Sequence, residues 1–322
     1  MRLAGKLVAW IFLTIAAIWL LAPVDRVDRT ISFDPKQLPD NLDNYLQSSE
    51  QQYPDIVPGT AKGIFWAGVK GRKTPISVIY IHGFSATSKE IHPVPDEVAK
   101  ALGANLFYTR LAGHGRGFAP MAEVTAGDWI EDMAEAMAIG RRLGDRVIVI
   151  ATSTGATLAA LGATDPTLGQ GMAGLVLISP NFGLNNRAAM ILDLPLARWW
   201  GPLVAGRTLS FEARNADHAR YWTLSYPTTA LFPMAALMRE ARAADYSAVR
   251  IPALFLYSPQ DQVISTTALA PVIAAWGGPT QVEQRSMQAG DDPHSHVIAG
   301  DIQSPGQTEP VIAIITAWVK TL

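Results

Sequence analysis

Val147-Ile148-Val149-Ile150-Ala151-Thr152-Ser153-Thr154-Gly155-Ala156 decides the fold. Four β-branched residues in a row predict a strand buried on both faces. The small residues over 154–163 predict a helix, and almost no chain is left between the two. Ser153 therefore stands on a tight strand-to-helix turn at the C-terminal edge of a sheet. That turn is crowded, so the residues two before and two after the serine must be small. Ala151 and Gly155 meet this need, with alanine where the G-x-S-x-G pattern has its first glycine. Gly155, Ala156, Ala159 and Ala160 let the helix lie close to the sheet, and its N-terminus brings free N–H groups to the hydroxyl. The pentapeptide alone fits two roles, an exposed serine on an elbow and a plain serine N-cap.

Outward from this point the chain alternates. Strands are predicted over 63–68, 76–81, 104–109, 146–151, 174–179, 253–257 and 280–287. Helices are predicted over 88–102, 127–143 (with Asp128 as N-cap), 154–163, 266–276 and 307–321. Strands alternating with helices imply an α/β fold with a mostly parallel, doubly wound sheet covered on both faces. From about 181 to 246 the rhythm breaks into a helical stretch without clear strands, read as an insertion over the sheet edge where ligands bind. Residues 25–60 are polar and rich in Pro and Asp, and read as a linker and N-terminal segment. The body then covers 61–322.

Composition narrows the function. With 26 Lys+Arg against 28 Asp+Glu the formal charge is −2, which offers no field for nucleic acid. A hydrophobic fraction of 49% excludes a disordered chain. The absence of cysteine excludes a disulfide scaffold, a thiol nucleophile and a thiolate metal site. Residues 7–24 carry no charge and nearly match a bilayer core in length. Arg2 and Lys6 precede them, and Trp10 and Trp19 lie toward the two ends. A cleaved signal needs small residues before its cut, whereas Leu20-Leu21-Ala22 meets Pro23. A core helix and a cleaved signal are the alternatives, and residues 1–24 are read as an uncleaved transmembrane anchor. The body is then membrane-anchored and extracytoplasmic, or periplasmic in a bacterium.

A serine nucleophile needs a base held by an acid. Asp261 follows the strand over 253–257, where the null alternative is an ordinary Asp turn. Asp291 and Asp292 are rivals, although they share a loop with the candidate histidines. Of six histidines only His294 and His296 follow the acid. His218 falls in the insertion and reads as surface, and His82 reads as structural. The oxyanion of an acyl transfer needs N–H donors. Phe84, in His82-Gly83-Phe84 after the strand over 76–81, and Thr154 supply them. Gly113-His114-Gly115-Arg116-Gly117 lacks the spacing of a phosphate loop.

Taken together, His82-Gly83-Phe84, Leu111-Ala112-Gly113-His114-Gly115-Arg116, the elbow at Ser153, the Ser258-to-Val263 loop with Asp261, and His296-Val297-Ile298 resemble the α/β-hydrolase superfamily of serine hydrolases, near its monoacylglycerol lipase and lysophospholipase-like branch. The resemblance covers about residues 76–298 and the late helix, and leaves 1–60 uncovered. It implies Ser153 as nucleophile, Asp261 as acid, and His296 rather than His294 as base. It also implies that the insertion is a helical lid over an acyl pocket. The expected activity is cleavage of a small-molecule or lipid carboxylic ester through an acyl-enzyme, with no metal or cofactor. Thioester cleavage or acyl transfer would use the same three residues, and a catalytically silent, membrane-anchored binding module is the alternative from another class. Trp199, Trp200, Leu203, Val204, Phe211, Trp222, Phe232 and Met234 fit either an apolar acyl-binding wall or ordinary packing of the insertion.

Overall fold

The computed structural model describes residues 24–322 together with Lys6, Trp10, Ile11, Leu13, Thr14, Ala16 and Ala17. The apolar segment read as a transmembrane anchor thus falls largely outside the described residues. Among the described residues no helix is long and apolar enough to cross a membrane.

In chain order the regular elements begin with α1 (Leu42–Glu50), β1 (Gly63–Phe65), β2 (Thr74–Ile81), α2 (Val94–Leu102), β3 (Asn105–Tyr108), α3 (Ala126–Leu143), β4 (Gly144–Thr152), α4 (Ser153–Gly162) and β5 (Met172–Ile178). Between β5 and the next sheet strand lie α5 (Ala197–Ala205), β6 (Thr208–Ser210), α6 (Ala216–Tyr221), β7 (Ser225–Pro227) and α7 (Leu231–Ala243). The chain closes with β8 (Ala253–Tyr257), α8 (Thr266–Ala275), β9 (Thr280–Gln284) and α9 (Pro305–Val319). The main sheet runs β1-β3-β2-β4-β5-β8-β9, and only β1 is antiparallel to its neighbour.

Strand alternation divides the core in two. Ile79, Ile81, Val147, Val149, Ala151, Leu175, Leu177 and Phe255 face one side, against α3, α4, α7 and α8. Val78, Tyr80, Ile148, Ile150, Val176, Ile178 and Leu254 face the other, against α2 and α9. Both faces are dry, which is why these strands read as unbroken β-branched runs.

The structure amends several expectations. Thr125, not Asp128, caps α3: its side chain accepts from the Asp128 N–H while Asp128 accepts from the Thr125 N–H. The T-x-x-D spacing is a reciprocal capping box. The segment between β5 and β8 contains a two-stranded β6–β7 hairpin besides its helices. Residues 25–60, read as a linker, are bonded closely to the body. Glu131 accepts from the Ser32 N–H, the Ser32 hydroxyl and the Phe33 N–H. Leu42 and Leu46 of α1 enter the α3 side of the core. Glu50, at the end of α1, takes both ends of the Arg110 guanidinium at 2.7 and 2.8 Å. The two side chains are only 8% and 4% exposed. Removing one partner of a buried ion pair strands the other charge in a dry interior. Glu50→Ala should therefore cost about 3–5 kcal/mol, read as a lowered urea midpoint. A midpoint within error of wild type would show that α1 is dispensable to the body.

Candidate active site

The elbow is built by one close approach. A Cβ on Gly155 would lie 2.4 Å from the His82 carbonyl oxygen and 2.6 Å from that of Ile81. Only glycine lets α4 start against the end of β2. The chain makes the turn with Ser153 at φ +50°, a left-handed conformation that L-residues adopt at a cost of about 1–2 kcal/mol. The Ser153 carbonyl is held by the Asn181 N–H (3.2 Å) and the Thr157 hydroxyl (3.2 Å). Its hydroxyl points over the sheet edge, and the residue is 6% exposed.

Ser153, His296 and Asp261 come together in one hydrogen-bonded row. His296 Nε2 is 3.0 Å from Ser153 Oγ, and His296 Nδ1 is 2.8 Å from Asp261 Oδ2. The carboxylate can only accept, so Nδ1 carries the proton and Nε2 faces the hydroxyl as an acceptor. The second oxygen of Asp261 accepts from the Val263 and Ile264 N–H groups at 2.8 and 2.9 Å. Burial works against a charged His296, but the field of Asp261 and its hydrogen bond, with smaller help from Glu90 and Asp292, outweigh it. The imidazole pKa is held above its ordinary value. His294 is exposed, and its ring turns toward Asp292.

Asp292 is not the rival acid that its position suggested. It accepts from the backbone N–H groups of His294, His296 and Val297 at 2.9–3.0 Å, and so shapes the turn that presents the imidazole. Asp291 is likewise spent on Gln288, Gly306 and Gln307. The Ser179 hydroxyl donates to the His296 carbonyl at 2.7 Å and ties the same turn to the end of β5.

Phe84 lies in the loop after β2 and Thr154 is the second residue of α4, so the two flank the serine. The Thr154 N–H is in the first turn of α4, where no residue four positions back lies in the helix to accept it. Gly83 presses against the serine: a Cβ there would be 3.1 Å from Ser153 Cβ. His82 is structural. Its Nδ1–H donates to the Gly83 carbonyl (2.8 Å) and its Nε2 accepts from the Leu111 N–H (3.1 Å). The Phe84 ring stands edge-on to Tyr226 at 5.2 Å and to His114 at 5.7 Å. The glycine-flanked His114 therefore supports this loop from below, not as part of a phosphate site. The segment between β5 and β8 is stitched to both flanks. The Thr223 N–H donates to Ser85 at 2.7 Å, the Ser265 N–H donates to Gly183 at 2.7 Å, and Leu184 bridges Ile264.

Some readings of that segment change. His218 is buried rather than surface-exposed, packed on Trp222 at 4.8 Å, with its Nδ1 accepting from the Arg214 N–H. The apolar set splits in two. Trp222, Phe232 and Met234 are buried, whereas Trp199, Leu203 and Val204 are 64–73% exposed. Sequence reasoning passed over Glu90, a carboxylate buried beside Gly83 and bonded to its N–H. Nothing in Ser88-Lys89-Glu90-Ile91 distinguishes it from a surface turn residue.

The fold and this arrangement agree with what the chain is similar to. The model of the Alpha/beta hydrolase family matches residues 78–300. The chain belongs to that family. The thermostable monoacylglycerol lipase of Bacillus sp. (strain H-257) is 27% identical over 192 residues, 59% of this chain and 72% of that protein. A structure from work on the metagenome-derived lipolytic enzymes LipS and LipT superposes with TM-score 0.67 at 19% identity, over 83% of this chain and 100% of its own. The Paleococcus ferrophilus monoacylglycerol lipase does so with TM-score 0.59 at 17% identity, over 81% and 98%. At these identities the structural likeness speaks to the fold.

Two buried histidines make stability fall on the acid side. Burial holds His114 down to about 4, and burial with the neighbouring His114 holds His82 well below its ordinary value. Unfolding frees both to titrate near 6.5. Their contribution is complete above that pH and is lost as pH falls toward the folded values, at up to about 1.4 kcal/mol per pH unit for each ring. Urea midpoints taken from pH 6.5 down to 4.5 should fall, and His114→Asn should flatten the slope by up to one such increment. An unchanged slope in the variant would show that His114 is not neutral in the fold.

Proposed function

We propose that the protein is a serine hydrolase of carboxylic esters, acting on amphiphilic substrates of the monoacylglycerol or lysophospholipid kind. One observation carries the reading: Ser153, His296 and Asp261 form an unbroken hydrogen-bonded row at the end of a parallel sheet, with successive distances of 3.0 and 2.8 Å. A buried imidazole with one acidic and one hydroxyl neighbour is the arrangement that activates a serine. A silent binding module has no need of it.

In the first step His296 Nε2 takes the Ser153 hydroxyl proton as Oγ attacks the ester carbonyl. The oxyanion is received by the N–H groups of Phe84 and Thr154. The bond to the leaving alcohol breaks, and His296 returns the proton to that alcohol. Water then repeats the sequence on the acyl-enzyme and releases the acid and free Ser153. Asp261 keeps the proton on Nδ1 and stabilises the imidazolium formed in each step. The base must be neutral to start, so kcat/KM declines as pH falls through the raised pKa of His296.

The chain is then one catalytic domain over about 25–322, 61–322 with the N-terminal segment packed on it, and the segment between β5 and β8 acts as its lid. Supporting a lipid substrate, that segment exposes Met190, Trp199, Leu203 and Val204. Asp25, the residue after the proposed anchor over 1–24, pairs with Arg198 of α5 at 2.6 Å, next to Trp199, which supports an anchor on this side of the body. The reading puts the site at a membrane surface, and Arg2 and Lys6 ahead of the apolar run support the extracytoplasmic side. The relatives named as monoacylglycerol lipases support the ester class.

Ser153→Ala should abolish labelling by a fluorophosphonate probe and remove nearly all hydrolysis of p-nitrophenyl esters. Labelling that persists in the variant would place the nucleophile elsewhere. Asp261→Asn should keep the fold and lower kcat by about 10⁴-fold, through loss of the correct tautomer. Across the ester panel, rising kcat/KM with chain length supports the lipid reading, and a maximum at acetate or butyrate refutes it. Removal of residues 1–23 should release the protein from carbonate-washed membranes with its ester preference intact; a full-length chain found in the carbonate wash would refute the anchor.

A further inference from the structure

Glu90 is 3% exposed, and among the described residues no Lys or Arg pairs with it. Burying a carboxylate without a cation is expensive, and a glutamine could accept the same hydrogen bonds without the charge. Its place is specific. Oε2 accepts from the Gly83 N–H at 2.7 Å and from the Tyr80 hydroxyl at 2.9 Å. The Tyr80 oxygen lies 3.2 Å from Thr152 Oγ1, the residue before Ser153. Tyrosine has one proton, already given to the carboxylate, so Thr152 donates to Tyr80. The relay runs Thr152, Tyr80, Glu90, Gly83, and it joins the elbow to the loop that carries Phe84. Gly83 is wedged between the two: a Cβ there would sit 2.7 Å from Glu90 Oε1 and 3.1 Å from Ser153 Cβ.

We propose that Glu90 is a positioning residue of the hydrolytic site, which pins the Gly83 N–H so that the next one, of Phe84, is aimed at the substrate carbonyl oxygen, and whose charge helps hold the proton that His296 receives from Ser153. The inference rests on the proposed serine-hydrolase reading. Burial works against the charge and raises the Glu90 pKa to about 7, while its bonds to Gly83 and Tyr80 and the field of His296 favour the ionised form. In the other direction, Glu90 follows Asp261 and precedes Asp292 among the groups that raise His296. The charged and titratable groups facing the pair are Tyr80 from β2, with Tyr108 of β3 beyond it, Asp261 from the loop after β8, and Asp292 from the loop after β9. The carboxylate thus acts as a further negative charge on the imidazolium, through no direct bond.

Glu90→Gln keeps the shape and an acceptor for Gly83 but removes the charge. Without that charge His296 gives up its proton at lower pH, so the acid limb of the kcat/KM profile should move to lower pH while the melting temperature changes little. Glu90→Ala also leaves the Gly83 N–H unpartnered. A single oxyanion donor is worth about 10²–10³-fold, and a misaimed one should forfeit about 10–100-fold in kcat with KM nearly unchanged. Both are read with p-nitrophenyl esters on the full chain in detergent, with fluorophosphonate labelling alongside. If wild type neither turns over nor labels, the serine-hydrolase reading fails and this inference with it. If wild type is active, a Glu90→Gln profile that superimposes on it overturns the charge role, and an unchanged kcat in a folded Glu90→Ala overturns the positioning role. Glu90→Gln decides the first even if Glu90→Ala does not fold.

Discussion

Everything at the sheet edge is referred to one contact, the approach of Gly155 to the carbonyl oxygens of Ile81 and His82. It lets α4 begin directly after the last residue of β4 with no connecting loop. Ser153 must then take a left-handed conformation, and its hydroxyl has nowhere to go but outward. The same contact fixes the chain that leaves β2, because the His82 carbonyl is one wall of it. The His82 ring, locked between the Gly83 carbonyl and the Leu111 N–H, sets the course of Gly83 and Phe84. A cost of about 1–2 kcal/mol in one dihedral pair is small against a strand buried on both faces, so the fold imposes the strain without being threatened by it.

The charges around the serine are held chiefly by backbone donors. Asp261 takes two N–H groups besides its imidazole, and Asp292 takes three. Such bonds stabilise a carboxylate without bringing a mobile cation that could compete for the histidine. They also convert loops into rigid mounts, since each carboxylate gathers N–H groups that turn in one direction. The histidine loop has no regular secondary structure, yet Asp292, Ser179 and Ser304 define it. The ionic pair Glu50–Arg110 does the corresponding job at distance, bringing α1 under the loop that contains His114.

What was legible in the sequence follows from this division. The strands that pack on both faces announce themselves as Ile76 to Ile81 and Val147 to Ile150, because alternation vanishes when neither face is wet. Ser153, Asp261 and His296 were legible as an ordered set at strand ends. The roles of Asp292 and Glu90 were not, because a carboxylate that gathers backbone N–H groups has no periodicity and no fixed spacing. Residues 25–60 read as a linker for a related reason. Besides Leu42 and Leu46, their attachment rests on single long-range bonds, from Ser32 and Phe33 to Glu131 and from Glu50 to Arg110, which leave no mark on local composition. The Asp128 cap was displaced to Thr125 because a reciprocal box satisfies two backbone groups where a lone cap satisfies one.

The segment between β5 and β8 adds a coupling that neither the sheet nor the row of three residues contains. Near its start, the carbonyl of Gly183 and the Leu184 bridge bind the chain after Asp261. Near its middle, Thr223 holds the Ser85 carbonyl, and Tyr226 backs the Phe84 ring. A shift of this segment would pull on both flanks of the serine, the loop of the acid and the loop of the Phe84 N–H. The packing of this segment and the internal geometry of the site are therefore not independent variables, because aromatic edges and backbone bonds hold both flanks at once. In this structure they are made, and Ser153, Asp261 and His296 are each below a tenth exposed.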